Sequence, residues 1–165
     1  TDEFQPFIRP NQFVDYTPKS NCVAKAKELA SHCDSDLEVA SAVYDYIVDT
    51  VKYDYDEAET VQSGYLPYPD EVLSTKKGIC FDYASLAAAM LRSQGIPTQL
   101  ITGYMGAKSQ YHAWNKIYIK GKGWIVGEIK VSGDDWKRVD MTLAASGEEV
   151  GFLEDDGNYT TRYVY

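Results

Sequence analysis

Apolar residues recur at helical spacing in the first half of the chain, and the texture changes to strand-like alternation near residue 98. Val23, Ala26, Leu29 and Ala30 form one stripe behind Ser20 and Asn21, either of which can cap, so a helix is expected to about Ala30. Leu37, Ala40, Val43, Tyr44, Ile47 and Val51 repeat the spacing after a capping cluster at Asp34 to Asp36. They predict an amphipathic helix over 36–51. A third helix is expected from Cys80 to Ser93, after Ser74, Thr75 and Gly78; it is rich in alanine and stopped by Gly95. Its small residues (Ala84, Ala87, Ala88, Ala89) suit close packing against neighbours.

The rest of the first half reads differently. Pro6, Pro10 and Pro18 break up residues 1–20, which are expected to form an extended arm packed on the remainder. Tyr53 to Asp70 carries Gly64, Pro67 and Pro69 and reads as a long loop, the kind that more often walls a site than merely connects. Strands are expected at Thr98 to Tyr104, His112 to Lys120, Trp124 to Val131, Trp136 to Asp140 and in the tail from Tyr159 to Tyr165. A hairpin turn falls at Lys120-Gly121-Lys122-Gly123. Helices first and an antiparallel sheet after them make an α+β protein.

Composition narrows the function. With 165 residues, 44% of them apolar, the chain is long enough to bury a core and is expected to form one domain over 1–165. No run reaches the ~18 apolar residues of a membrane span. The chain begins without Met in a polar stretch, as a mature form trimmed of a targeting segment would. A net charge of −9, with lysines paired only at Lys76-Lys77 and Lys120/Lys122, argues against a nucleic-acid partner. Asp54 to Glu71 holds six acids and no Lys or Arg, which reads as a solvated surface first and as a preference for cationic substrates second. Cys22 and Cys33, separated by a helix rise of roughly 16 Å, could be bridged only if that helix broke. The 14 tyrosines and acidic character suit a secreted or cell-surface location. Oligomeric state leaves no signal.

Three positions carry the chemistry. Cys80 opens the third helix, where the N-terminal dipole lowers a thiol from its usual pKa of ~8.5 toward the nucleophilic thiolate. His112 begins one strand and Asp140 ends another; a histidine can serve as the base, and a carboxylate can hold its tautomer. Each residue alone has a bland reading: a core thiol, a structural histidine, a turn acid.

Their surroundings change that. GICFDYASL at 78–86, YHAWNK at 111–116 and WKRVDMT at 136–142 occur in this order, flanked by Lys77, Gly95-Ile96-Pro97 and Gly103-Tyr104. Together they resemble the transglutaminase-like core of the papain-like superfamily, over roughly residues 36–145. The resemblance implies Cys80 as nucleophile, His112 as general base and then acid, and Asp140 as the orienting carboxylate. Glu128, on the preceding strand, is the rival for the acid role and is rejected because Trp136 and Thr142 frame Asp140 in the family manner. Met141 stands where a proline is common.

An acyl-transfer enzyme also needs donors for the oxyanion, each contributing about 3–4 kcal/mol in the transition state. The Cys80 N–H is one candidate; Tyr53 is the choice for the second, with Tyr55 nearly its equal and simple packing the bland alternative. Trp114 and Trp136 read as supports for His112 and Asp140. The resemblance therefore implies a cysteine enzyme acting on amides of peptides or proteins through a thioester. Hydrolysis is favoured over cross-linking by a lysine amine, and no cofactor is required. A non-catalytic binding module on the same fold is a second reading. Zinc held by Cys80, His112 and Asp140 is a third, unsupported by any paired-cysteine spacing.

Overall fold

A computed structural model of the chain describes residues 3–60, 64–105, 110–132, 135–143 and 159–165, with side chains at 3–60, 64–103, 112–127 and 163–165. Among the described residues, five α-helices and a short parallel strand pair lie against a five-stranded antiparallel sheet, the α+β arrangement expected. Residues 3–20 run over this body with a 3-10 turn at Gln5–Phe7. Phe4 and Phe7 pack against Trp124, Val14 is fully buried, and the Phe13 carbonyl accepts from the Ser85 hydroxyl at 2.6 Å.

Helix α1 (Asn21–Ala30) has the expected bounds but not the expected cap. Ser20 makes no side-chain cap; its hydroxyl accepts from the Thr17 N–H instead. The helix is capped from a distance by Asp70, whose carboxylate accepts from the N–H groups of Asn21 at 2.9 Å and Cys22 at 2.8 Å. Helix α2 (Asp36–Thr50) is capped by Ser35, which accepts from the Glu38 N–H, while Glu38 reaches back to the Asp34 N–H. Cys22 and Cys33 are both free thiols.

The segment read as a loop over 53–70 is more ordered than its prolines and glycine suggest. Strand β1 (Lys52–Tyr53) leads through Asp54 into helix α3 (Tyr55–Thr60), and the Asp54 carboxylate accepts from the Glu57 N–H at 3.1 Å. Pro69 does not break structure but begins helix α4 (Pro69–Thr75), at the first helical position, where an N–H would have no intrahelical acceptor. Helix α4 ends at Lys76 in the left-handed region, φ 58°, and strand β2 (Lys77–Gly78) pairs in parallel with β1.

Helix α5 (Cys80–Ser93) has the predicted bounds and is buried at every position from Phe81 to Arg92. Gly95, at φ 78°, closes it in a left-handed turn, with the Ile96 N–H returning to the Leu91 carbonyl. The sheet follows as β3 (Thr98–Met105), β4 (Gln110–Ile119), β5 (Gly123–Ser132), β6 (Asp135–Leu143) and β7 (Tyr159–Val164), in the order β6-β5-β4-β3-β7. Leu100, Ala113, Ile117, Ile119 and Ile125 join the α5 alanines in one core.

Arg92 locks the last turn of α5 in place. It is 2% exposed, and its guanidinium donates to the carbonyls of Thr98, Arg9 and Tyr165, each at 2.8 Å. Three stretches far apart in sequence thus meet on one side chain.

Candidate active site

The head of α5 is where the chemistry-bearing elements converge. Cys80 is its first residue and the one member of the helix between Cys80 and Arg92 that is not fully buried. The chain reaches it through β2, whose Gly78 pairs with Tyr53 of β1, and the Gly78 carbonyl accepts from the Asp54 N–H at 3.0 Å. This pairing sets Tyr53 two residues from Cys80 across the strand pair. Burial first, then the facing Cys80 and Tyr55, hold the Tyr53 phenol above its ordinary range, so its hydroxyl keeps its proton and can donate. The Tyr55 ring meets Tyr53 edge-on at 4.6 Å and is largely exposed.

Strand β4 carries His112 as its third residue, two places further in than the sequence pattern indicates. Ala113, Asn115, Ile117 and Ile119 alternate toward the helices; His112 falls in the other phase, 6% exposed, its ring stacked on Trp114 at 6.0 Å. Trp114, 3% exposed, is therefore the support for His112 that the sequence suggested. With only a methyl group, Ala113 lets β4 approach α5. Cys80, Ala113, Trp114 and Asn115 share the walls of a small cavity with Tyr44, Tyr83, Ala84 and Gly127.

Behind Cys80 a buried polar network fixes this approach. The Tyr44 hydroxyl donates to Asn115 Oδ1, and Asn115 Nδ2 donates to the carbonyls of Ala84 at 3.0 Å and Gln99 at 3.1 Å. A single asparagine thus joins α2, α5, β3 and β4 one turn below the thiol. Sequence reasoning missed it, although Asn115 directly follows the His-Ala-Trp run. Gly127 completes the arrangement: a Cβ there would lie 2.6 Å from the Tyr44 hydroxyl. The β5–β6 register shifts between Val126 and Glu128, beside the end of the β4–β5 pairing at Asn115 and Gly127.

Asp140 lies on β6, between Val139, which pairs with Glu128, and Thr142, which pairs with Val126. Strand β6 also packs against β1, the strand of Tyr53. The side chains of Asp140, Glu128 and Trp136 lie outside the described residues. Strand β4 packs against α5, and β1, on which β6 packs, pairs with the β2 strand that leads into Cys80. Among the described residues, no group of three or more His, Cys, Asp or Glu side chains is arranged to hold a metal ion.

Asp82 was not singled out from the sequence, yet it is a buried titratable group bound into the first turn of α5. It is 1% exposed and accepts from the Ile79 N–H at 2.9 Å and from the Tyr65 hydroxyl. Ile79 has no side-chain acceptor, so this is only half of a reciprocal capping pair. Burial raises the Asp82 carboxyl to about 6, against the Tyr65 and Ile79 hydrogen bonds, with Glu57 of α3 and Glu71 of α4 adding to the rise. Asp54 and Lys77 face the same cleft of about 220 Å³.

A raised acid holds its proton more tightly folded than unfolded. Its contribution is complete below the unfolded value near 4 and is lost as pH rises through about 6, a change on the order of 3 kcal/mol. Urea denaturation of the protein and of Asp82→Asn at pH 4 and pH 7 is expected to show a larger fall with rising pH in the unaltered chain. Equal falls would contradict the buried, proton-retaining carboxyl.

The sequence profile of the transglutaminase-like superfamily matches residues 23–140, from the second residue after Asn21 to Asp140 itself. The chain belongs to the transglutaminase-like superfamily. It is 28% identical over 140 residues to a UPF0252 protein of Methanocaldococcus jannaschii, covering 78% of this chain and 38% of that protein. It is 28% identical over 127 residues to the kyphoscoliosis peptidase of Mus musculus, covering 71% of this chain and 19% of the peptidase. The chain thus spans well under half of either relative. Among solved structures, a candidate cysteine protease of Cytophaga hutchinsonii superimposes with a TM-score of 0.63 at 20% identity, over 100% of this chain and 55% of that one. A protein described as a TGase gives 0.58 at 19% identity, over 77% and 37%. At such identities the two structures establish the transglutaminase-core fold, and the fold alone.

Proposed function

We propose that this transglutaminase-like domain is a cysteine-dependent amide acyl-transfer enzyme that acts on peptides or proteins and passes the acyl group chiefly to water. The observation that carries the reading is the head of α5, where a partly exposed Cys80 follows the Gly78 that pairs with Tyr53 and shares a cavity wall with Ala113 and Trp114, the two residues after His112.

In this reading His112 takes the Cys80 proton as Sγ attacks the carbonyl carbon, and Asp140 orients the imidazole. The carbonyl oxygen becomes an oxyanion held by the Cys80 N–H and the Tyr53 hydroxyl. As the C–N bond breaks, the leaving amine collects the proton from His112. Water, deprotonated by His112, then attacks the thioester; the C–S bond breaks and the carboxylic acid leaves. A sequence relative named as a peptidase supports amide substrates.

Incubation with a pool of peptides containing Gln and Lys, read by mass spectrometry and ammonia release, tests this. Cleaved or deamidated peptides are the expected result. Gln–Lys cross-links as the main product would make the acceptor an amine, as in a transglutaminase. No product at all, from a protein whose Cys80 still reacts stoichiometrically with thiol probes, would favour a binding module.

A further inference from the structure

The turn that presents Cys80 is built around one carboxylate. Cys80 is the first residue of α5 and Asp82 the third, and the Asp82 carboxylate takes the N–H of Ile79. The first regular helical bond, from the Tyr83 N–H to the Ile79 carbonyl, holds the same residue from the other side at 3.0 Å. Ile79 is thus fixed at both its N–H and its C=O, and the peptide joining it to Cys80 cannot rotate freely. Helix geometry gives the N–H of a first-turn residue no intrahelical acceptor. Because the Ile79 carbonyl points into the helix toward the Tyr83 N–H, the Cys80 N–H of the same trans peptide is directed out of the helix start.

Two further contacts tighten this turn. A Cβ at Gly78 would lie 2.8 Å from the Asp82 Cβ, so the approaching strand is pressed onto the aspartate. The other carboxylate oxygen accepts from the Tyr65 hydroxyl, and the Tyr65 ring stands edge-on to Phe81 at 6.3 Å. The segment before α4 is thereby fastened to the nucleophile turn from inside, through a residue hidden from solvent.

We propose that Asp82 is a positioning residue for the acyl-transfer step: by holding the Ile79 N–H and the Tyr65 hydroxyl, it fixes the direction of the Cys80 N–H toward the oxyanion. This rests on the proposed function and deepens it. Asp82 touches neither substrate nor Sγ; it acts through the peptide it holds.

Two thiol probes separate this role from general folding support. A short N-acetylated peptide aldehyde adds reversibly: the Cys80 sulfur bonds to the carbonyl carbon, the C=O π bond breaks and the thiol proton passes to oxygen. The resulting thiohemiacetal places that oxygen where the oxyanion would sit. Iodoacetamide forms the C–S bond as iodide leaves and the thiol proton goes to solvent, with no tetrahedral oxygen to stabilise. Asp82→Ala is expected to weaken aldehyde binding about tenfold or more, up to the roughly 10²–10³-fold that outright loss of one oxyanion donor costs. Its iodoacetamide rate should stay within about threefold of the unaltered protein, since that reaction uses no such donor. Asp82→Asn keeps an oxygen for the Ile79 N–H and should recover most of the aldehyde affinity.

Circular dichroism checks folding. Should the alanine variant not fold, Tyr65→Phe takes its place and is expected to show the same selective loss, smaller in size. Equal changes toward both probes, no change toward either, or an asparagine variant as poor as alanine would overturn the positioning role while leaving the function standing. An unaltered protein whose Cys80 reacts with neither probe would overturn the proposed function, and this inference with it.

Discussion

Replacing Cys80 with alanine is expected to abolish amide turnover, a loss of at least about 10⁴-fold, and to remove all rapid labelling by iodoacetamide at pH 6. The substitution isolates chemistry from folding. Cys80 is only half-buried, so truncation leaves little cavity, and alanine is at home in a helix whose core face is already largely alanine. The other two thiols serve as internal controls. Cys22 is buried, and that burial with the Asp70 contact pushes it up to about 12, so it stays protonated and inert. Cys33 donates its thiol to the Leu29 carbonyl at 3.3 Å at the end of α1. Rapid labelling at pH 6 should therefore map to residue 80 alone.

His112→Ala is the second arm of the same experiment. Without a neighbouring imidazole to take the proton, labelling at pH 6 is expected to slow about tenfold or more. If the unaltered protein is labelled no faster than a free thiol at that pH, or if His112→Ala labels as fast as the parent, the activated-nucleophile reading fails.

Arg92→Met should have the largest effect on stability, lowering the unfolding free energy by about 3–5 kcal/mol. The guanidinium is 2% exposed and held by three carbonyls, from Thr98, Arg9 and Tyr165. Burial lowers the group to about 10, so it remains charged at neutral pH. Methionine reproduces the stem but leaves the carbonyls of Arg9 and Thr98 without this donor. The Tyr165 carbonyl keeps the Leu100 N–H at 2.9 Å. Relief from burying a charge offsets part of the loss, which is why the expected value is not the full sum of three charged hydrogen bonds. Urea denaturation measures the change. Because the Arg9 contact anchors the N-terminal stretch, limited proteolysis near residues 1–20 should also accelerate. A change below about 1 kcal/mol would show that packing, not the three bonds, holds these segments together.

The elements best read from sequence were those whose signals are local. Helix α2 follows its own apolar stripe and its own serine cap, and α5 runs from Cys80 to the glycine turn that closes it. The antiparallel ladder followed from alternation and the glycine-containing hairpin at 120–123. Where local signals conflicted, the reading failed. Pro67, Pro69 and Gly64 masked α3 and α4, because Pro69 fits the first position of a helix as readily as it breaks one. The cap of α1 could not be found locally at all, since Asp70 supplies it from 48 residues away.

The amino-acid sequence by itself determined that an α+β chain would place a cysteine at a helix start and a histidine and an aspartate on later strands, because period, caps and motif order are properties of neighbouring residues. Tertiary structure alone decided which side chains attend that cysteine. The β1–β2 pairing brings Tyr53 to it, Asn115 anchors the facing strand, and Asp82 with Tyr65 holds the turn from within. These contacts join residues tens of positions apart or depend on burial, and both are set by how the elements pack rather than by any pattern along the chain.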